Sequence, residues 1–335
     1  MAPPRIGPYV RVKGLSTSSL PPGGITVREN QEETYLFLNS DDGREQSQSH
    51  KGQLKIFIEN VLTESISFIQ GVELIEAPEL IEAPIPTENS WIKADVPKYY
   101  RSCAAGIELA KRIVSKEELD SVDDTSNPRK NKNNEYWFAR RSKHANSPVP
   151  TGTATWEEFT RHFKQEHSES EAKWCQSVSG VRKAVHWETR GLEVVAGEQR
   201  WNDITMDIVE MKHTIMKPKL MKDRVFPVIL ITASSMQHGQ FLVVSIPLTD
   251  FNNSESAKFA KDESLVVAAY ASIERFRLWN AHTEWIMATA SDAKVPIPKF
   301  IQNFFLKDVI RKDVDMFMRW IAWERARPLQ PSANT

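Results

Sequence analysis

The stretch that decides the fold is residues 298–326, which read PKFIQNFFLKDVIRKDVDMFMRWIAWERA. A proline at the first position suits the first turn of a helix, and Pro328 follows where a helix would end. The apolar residues recur at helical spacing and are Ile301, Phe304, Phe305, Ile310, Val314, Phe317, Met318 and Ile321. At about 1.5 Å per residue this helix spans roughly 40 Å. So long an apolar stripe needs an equally long apolar partner.

The expected partner is a β-sheet. The β-rich segments that precede the helix are 181–188, 192–196, 201–213, 224–234, 240–247, 265–277 and 282–289, and their density predicts one continuous antiparallel sheet. Residues 204–210 alternate, so that Ile204, Met206 and Ile208 share a face with Glu210. We therefore expect an α+β fold in which a curved sheet wraps on the C-terminal helix, with one face buried and the other in water.

The N-terminal half has a different pattern. Breaker clusters rich in Pro, Gly and Ser predict a mostly flexible arm over 1–50. From Lys51, apolar residues at helical spacing predict an amphipathic helix that ends near Gly71. The repeat ELIEAP at 73–84 is expected to be a connector, and a second short helix is expected over 104–119. The polar run 121–134 suggests a boundary. The predicted division is an arm at 1–50, a helical region and linker at 51–130, the main domain at 131–327 and a tail at 328–335.

The main domain should open with a strand over 135–144 and then a helix. Thr155 precedes that helix and Glu158 follows three residues later, which is the signature of a capping box. The helix would place Trp156, Phe159, Phe163 and Trp174 on one stripe, with His167 on the same side.

Charge and cysteine content exclude several classes of protein. The 43 basic and 44 acidic residues give a formal net charge of −1, so nucleic acid is not an expected partner. Two cysteines, Cys103 and Cys175, are too few for a disulfide framework, and the N-terminus lacks the apolar segment of a secretory signal. We expect a cytoplasmic protein with at most peripheral membrane contact. The lysine-rich stretch 212–222 is either a solvated loop or a membrane-touching one.

Four motifs, in order, resemble the fungal START-like domains of unknown function, which are distant relatives of the StAR-related lipid-transfer domains. They are WFARRSKH at 137–144, WEEF at 156–159 running to HSESE at 167–171, RVFP at 224–227, and YASIER at 270–275 with WIMATASD at 285–292. The resemblance covers about residues 135–325. It implies a helix-grip fold with an internal hydrophobic cavity for one lipid or similar molecule, no metal and no cofactor.

Strand parity then supplies candidate cavity residues. On 265–277 one face carries Tyr270, Ser272 and Glu274, and the other carries Arg275 and Arg277, which suit water. The residues assigned to the cavity are Arg140, His144, Glu210, Tyr270, Ser272, Glu274, Trp285 and Met287. Arg140, His144, Glu210 and Glu274 would form a polar pole in an apolar tunnel. The alternative is that Glu274 pairs with an arginine in a buried bridge that only sets strand register.

The metal and catalytic signals are weak. His162 and Glu166, like His167 and Glu171, lie one helical turn apart, but no HExxH motif or evident third ligand accompanies them. The resemblance to START-like domains instead implies binding, with possible transfer, of a lipid or other hydrophobic molecule, which is the predicted function. The alternatives are a cofactor-free cyclase or isomerase of a polyketide or terpenoid pathway, using the same cavity, and an interaction module with a filled cavity.

Overall fold

A computed structural model describes residues 6–27, 41–73, 90–122, 133–149, 151–214, 222–292 and 299–327, without the side chains of 41–47 and 299–306. The ELIEAP repeat beyond Glu73, most of the polar run 121–134, residues 215–221 of the lysine-rich stretch and the tail from 328 lie outside these ranges.

The described chain has five α-helices and twelve strands. The helices are α1 (Asp41–Glu73), α2 (Lys116–Val122), α3 (Trp156–Phe159), α4 (His167–Trp174) and α5 (Lys299–Ala326). The strands are β1 (Gly24–Thr26), β2 (Ile92–Tyr100), β3 (Cys103–Val114), β4 (Glu135–Ala145), β5 (Val178–Trp187), β6 (Val194–Ala196), β7 (Gln199–His213), β8 (Arg224–Ser235), β9 (Gln240–Pro247), β10 (Val266–Val267), β11 (Ala269–Trp279) and β12 (His282–Asp292). Within the described residues, no helix is long and apolar enough to span a membrane.

All twelve strands join one curved sheet. The main path runs β1-β5-β7-β8-β9-β11-β12-β4-β3-β2, with β6 on β7 and β10 on β8. Every pairing is antiparallel except that of β10 with β8. The predicted continuous sheet is confirmed.

The C-terminal helix α5 covers one face of this sheet, which we call the inner face. Val314, Phe317 and Ile321 of α5 pack in one buried cluster with Phe276 and Trp285 of the sheet. Two ion pairs fix the helix lengthwise: Arg311 with Asp95 of β2 (Nη1–Oδ2 2.9 Å), and Arg325 with Glu158 of α3. The predicted helix-grip architecture is confirmed.

The opposite face, which we call the outer face, is also buried over much of its area. Leu62 and Phe68 of α1 pack in one cluster with Met206, Ile208 and Ile273 of the sheet, and the Phe68 ring lies 4.8 Å from that of Trp137 in β4. The expectation of one buried face and one wet face is wrong. The apolar row of β7 at 204–208 faces the N-terminal layer, so the sheet is the middle of three layers.

The predicted N-terminal division is corrected in two places. Residues 103–114 form strand β3 rather than a helix, and β3 pairs with β4 across the proposed boundary, Glu108 facing Arg141. Residues 6–27 are not a free arm, because Ile6 and Val10 are buried and β1 pairs with β5. The unit that contains the sheet therefore includes residues 6–27.

Candidate ligand-binding site

The centre of the inner face is a row of three residues on adjacent strands. Met287 of β12 lies directly opposite Arg140 of β4 on one side and Glu274 of β11 on the other. Directly opposed residues of antiparallel strands share a face, so the register alone brings the three side chains together. Tyr270, Ser272, Trp285 and His144 have the same parity on these strands. Seven of the eight residues assigned to the cavity therefore share the inner face.

Glu210 is the exception, and its assignment to the polar pole is wrong. It shares the outer face with Met206 and Ile208, whereas Val209 and Met211 belong to the inner cluster. Its carboxylate is fully buried and accepts hydrogen bonds from Arg182 (2.8 Å) and from the backbone N–H groups of Lys258 and Ala260. These contacts tie a loop to the outer face, which is a structural role.

Arg140 is the buried cation of the inner face. Its side chain is 1% exposed, and its guanidinium carbon lies 3.7 Å from the centroid of the Trp285 ring, within cation–π range. The nearest carboxylate atom, Glu274 Oε2, is 3.9 Å away, which is too long for a hydrogen bond. Among the described residues, Arg140 Nε and Nη1 have no hydrogen-bond partner. A buried donor without an acceptor is costly, so this guanidinium suits an oxygen atom of a bound molecule.

Glu274 is held in place by the neighbouring strand. Its Oε2 accepts a hydrogen bond of 2.8 Å from the Trp285 indole N–H. His144, farther along the same face, is bound through Nε2 to Ser142 (2.8 Å). Burial and the nearby Arg140 charge lower the pKa of His144 to about 3, so this imidazole is neutral at physiological pH.

Two helices add carboxyl groups that parity reasoning on the strands missed. Burial raises the pKa of Glu171 in α4 to about 8, with further contributions from the charges of Asp313 and Glu274. Burial also raises the pKa of Asp313 in α5 to about 7, and the Arg140 charge opposes the rise. Near neutral pH, Glu171 is therefore mostly a neutral hydrogen-bond donor and Asp313 is near its midpoint. Asp313 could have been found by its spacing from Ile310 and Phe317, which places it on the buried stripe of the helix.

Several inner-face side chains keep accessible surface beside buried neighbours. Glu171 keeps 21% of its side-chain surface accessible. Tyr270 is partly accessible, and Met287 stays partly accessible between Arg140 and Glu274, which are buried. The inner face is therefore not packed solid at these positions.

Apolar side chains of β7, β8 and β11 lie beside these residues. The Phe226 and Tyr270 rings meet edge to face at 5.4 Å, and the Tyr270 hydroxyl donates to Met211 Sδ at 3.5 Å. Burial, with the nearby Glu171 charge, raises the pKa of Tyr270, so its hydroxyl stays protonated. The arrangement can enclose an apolar body and offer hydrogen bonds at one end.

A block of aromatic rings fills the inner face at the end nearest the β11–β12 turn. Phe276 stacks on Phe241 (4.5 Å) and on Trp285 (5.3 Å), and Phe163 lies 4.6 Å from Trp285 and 4.7 Å from Phe317. The capping box of Thr155 and Glu158 starts the helix that carries Phe163, as predicted. A π-helical turn at Thr160–Gln165 follows and ends before His167.

The histidines and cysteines show no metal geometry. His167 Nδ1 contacts the Phe163 carbonyl oxygen at 3.1 Å, and burial lowers the pKa of His167. Burial also raises the pKa of Cys175 to about 11, so its thiol is not activated. Within the described ranges, His, Cys, Asp and Glu side chains form no group of three able to hold a metal ion.

Comparisons with known proteins place the chain beside one family and several solved structures. Residues 137–321 match the family described as protein of unknown function (DUF3074), and no curated protein matches. The human StarD13 (DLC2) lipid transfer and protein localization domain is 14% identical, with 72% of this chain and 91% of that chain covered and a TM-score of 0.42. Human StAR-related lipid transfer protein 5 is 10% identical, with 69% and 88% covered and a TM-score of 0.42. A STAR-related lipid transfer protein from Xanthomonas axonopodis is 10% identical, with 68% and 98% covered and a TM-score of 0.40.

Proposed function

The chain belongs to the DUF3074 family of proteins of unknown function, and we propose that it binds one lipid or other hydrophobic small molecule in the space on its inner face. The observation that carries the proposal is the presence of two partly accessible side chains, Tyr270 and Met287, on the same face as the buried guanidinium of Arg140, whose Nε and Nη1 have no acceptor among the described residues. An apolar body with one oxygen-bearing end complements both features.

The polar end of the molecule would accept hydrogen bonds from Arg140 and from the protonated Glu171. Seven of the residues assigned to the cavity would contact it: Arg140, His144, Tyr270, Ser272, Glu274, Trp285 and Met287. If the molecule is released unchanged, the protein is a carrier. Two buried free thiols, Cys103 and Cys175, fit a reducing compartment, and we place the carrier in the cytoplasm.

A second candidate function is that of a cofactor-free cyclase or isomerase. It is favoured by the raised pKa values of Asp313, about 7, and Glu171, about 8, because a general acid or base works best with a pKa near the operating pH. Conversion of an extracted or offered molecule to a rearranged product, lost in Asp313→Asn while binding persists, would establish the enzyme. Binding with the molecule recovered unchanged would establish the carrier.

Filling the space tests the binding proposal. Met287→Trp adds an indole beside Arg140 and Glu274 and should prevent uptake of a fluorescent fatty acid, measured by fluorescence titration. Met236→Trp is the matched control, because Met236 is 45% exposed and lies in the turn between β8 and β9. Uptake that survives Met287→Trp in a folded protein would refute the location of the site.

A further inference from the structure

Two carboxyl groups reach the inner face from the helices that cover it. Asp313 of α5 is spaced one helical turn from the buried Ile310 and from the buried Phe317. Glu171 of α4 is one turn before the buried Trp174. The Trp174 and Phe317 rings lie 6.2 Å apart, so one aromatic contact brings both carboxyl groups to the same part of the inner face. Burial raises the pKa of Glu171, and the charge of Asp313 adds to the rise.

Arg140 and Glu274 belong to the same part of the inner face. The Arg140 guanidinium lies over the Trp285 ring at 3.7 Å, and that ring is 5.9 Å from the Phe317 ring of α5. Burial raises the pKa of Asp313, the Arg140 charge opposes the rise, and the Glu274 charge adds to it. We call the four groups the polar region, which consists of Arg140, Glu171, Glu274 and Asp313.

Hydrogen-bonding groups of the polar region lack partners in the part of the chain that the structure describes. Arg140 Nε and Nη1 have no acceptor there, and Glu274 Oε2, at 3.9 Å, is too far to serve as one. Asp313 forms no hydrogen bond with any described residue. Glu171 Oε2 is 3.8 Å from His167 Nε2, also too far for a hydrogen bond. Leaving buried donors unpaired is costly, so the polar region suits an oxygen atom of a bound molecule.

The charges of the polar region favour an uncharged oxygen. Arg140 and Glu274 offset each other. Burial raises the pKa of Asp313 to about 7 and that of Glu171 to about 8, so near neutral pH both carboxyl groups are protonated for much of the time and can donate. Burial would penalise a charged ligand in the same way. A carbonyl oxygen accepts through two lone pairs and brings no proton that needs an acceptor.

We propose that the ligand of the inner face presents an uncharged carbonyl group, as a ketone or an ester does, which accepts hydrogen bonds from Arg140 and from Glu171 and Asp313 as protonated acids. The inference rests on the binding function proposed above and names the chemical class of the ligand. It also makes binding depend on pH, because a carboxyl group that has lost its proton can no longer donate.

The direction of the pH dependence follows from the groups that face Asp313. These are Arg140 of β4, Glu274 of β11 and Glu171 of α4. Affinity for a carbonyl ligand should fall as pH rises through about 7 and about 8, where Asp313 and Glu171 lose their protons. Arg140 keeps its charge throughout this range. Burial places the pKa of His144 at about 3 and that of Cys175 at about 11, so neither group changes charge there.

The test uses the full chain and the fluorescent ketone laurdan, whose naphthyl carbonyl is attached to an apolar chain. Its affinity for the wild type should fall by about tenfold between about pH 6 and about pH 9, the scale of one lost hydrogen bond. Glu171→Gln/Asp313→Asn replaces each titrating O–H with an amide N–H that stays a donor, so this fall should disappear. Glu193→Gln, at an exposed acid between β5 and β6, is the matched control and should keep it. Melting temperatures establish that each protein is folded at both pH values.

Displacement of laurdan by competitors of equal chain length tests the chemical class. Dodecanone should displace it at lower concentration than dodecanol, dodecanoate or dodecylamine. Stronger displacement by dodecanoate or dodecylamine, or a wild-type affinity that does not change with pH, would overturn the carbonyl inference and leave inner-face binding intact. A fall with pH that persists in the double variant would also overturn it, because other groups would then titrate. If neither laurdan nor any competitor binds, the inner-face binding proposal fails and this inference fails with it.

Discussion

Replacing Glu274 with alanine tests the role of the carboxylate at the centre of the inner face. Its side chain is 8% exposed, its Oε2 accepts the Trp285 indole N–H at 2.8 Å, and it is the nearest carboxylate to the buried Arg140 at 3.9 Å. Glu274→Ala removes the acceptor and leaves Arg140 without its counter-charge. Breaking one partner of a buried pair costs about 3–5 kcal/mol, a large part of the roughly 5–15 kcal/mol of a typical domain.

Glu274→Gln separates the charge from the hydrogen bond. The amide oxygen can still accept the Trp285 N–H, so the loss should be smaller, about 1–3 kcal/mol for the missing charge interaction. The assay is urea unfolding of the three proteins followed by tryptophan fluorescence, with Glu193→Ala as an exposed acidic control. The expected order of unfolding free energy is wild type, then Glu274→Gln, then Glu274→Ala.

An unfolding free energy for Glu274→Ala equal to that of Glu193→Ala would refute the reasoning. It would mean that water or another group already compensates Arg140. If Glu274→Gln instead keeps its stability and loses ligand uptake, the carboxylate acts on the ligand rather than on the strand register.

Two further predictions follow from the layers and the charges. Leu62→Ala in α1 should lower the free energy of unfolding in urea by about 2–5 kcal/mol, because Leu62 is fully buried on the outer face. The control Ile56→Ala changes a side chain that is 58% exposed and should change the free energy of unfolding by no more than about 0.5 kcal/mol. Equal effects of the two substitutions would contradict the packing of α1 on the outer face. The folded pKa of Asp313, about 7, lies above its ordinary 3.8, so its contribution to stability is full below about pH 4 and is lost as pH rises through about 7. The unfolding free energy of Asp313→Asn minus that of wild type should therefore rise between about pH 4 and pH 8, and a flat difference would contradict the burial of Asp313.

The sequence predicts most of the sheet and the inner face because both depend on local periodicity. Alternation on β4, β11 and β12 correctly placed Arg140, Glu274 and Met287 on one face. The long apolar stripe of α5 correctly required a sheet beneath it. Neither inference needed knowledge of which distant segments meet.

The errors arise where an inference required knowledge of what packs on the outer face of the sheet. Alternation on β7 shows that Ile208 and Glu210 share a face, but it cannot say which layer covers that face, and assuming a single buried face put Glu210 in the wrong group. The apolar positions of residues 103–114 are compatible with both the helical and the strand period. The pairing of this segment with β4 makes it a strand. Asp313 and Glu171 are on helices, and only packing brings them to the inner face.

The central claim is that the inner face encloses one hydrophobic molecule. Native mass spectrometry of the purified full chain measures this directly, with and without extraction by organic solvent. We expect an added mass at about 1:1 stoichiometry that extraction removes and that a lipid or hydrophobic metabolite restores, with a rise in melting temperature that grows with ligand concentration. A chain that stays at its bare mass after exposure to panels of lipids and natural products, with no change in melting temperature, would contradict the claim.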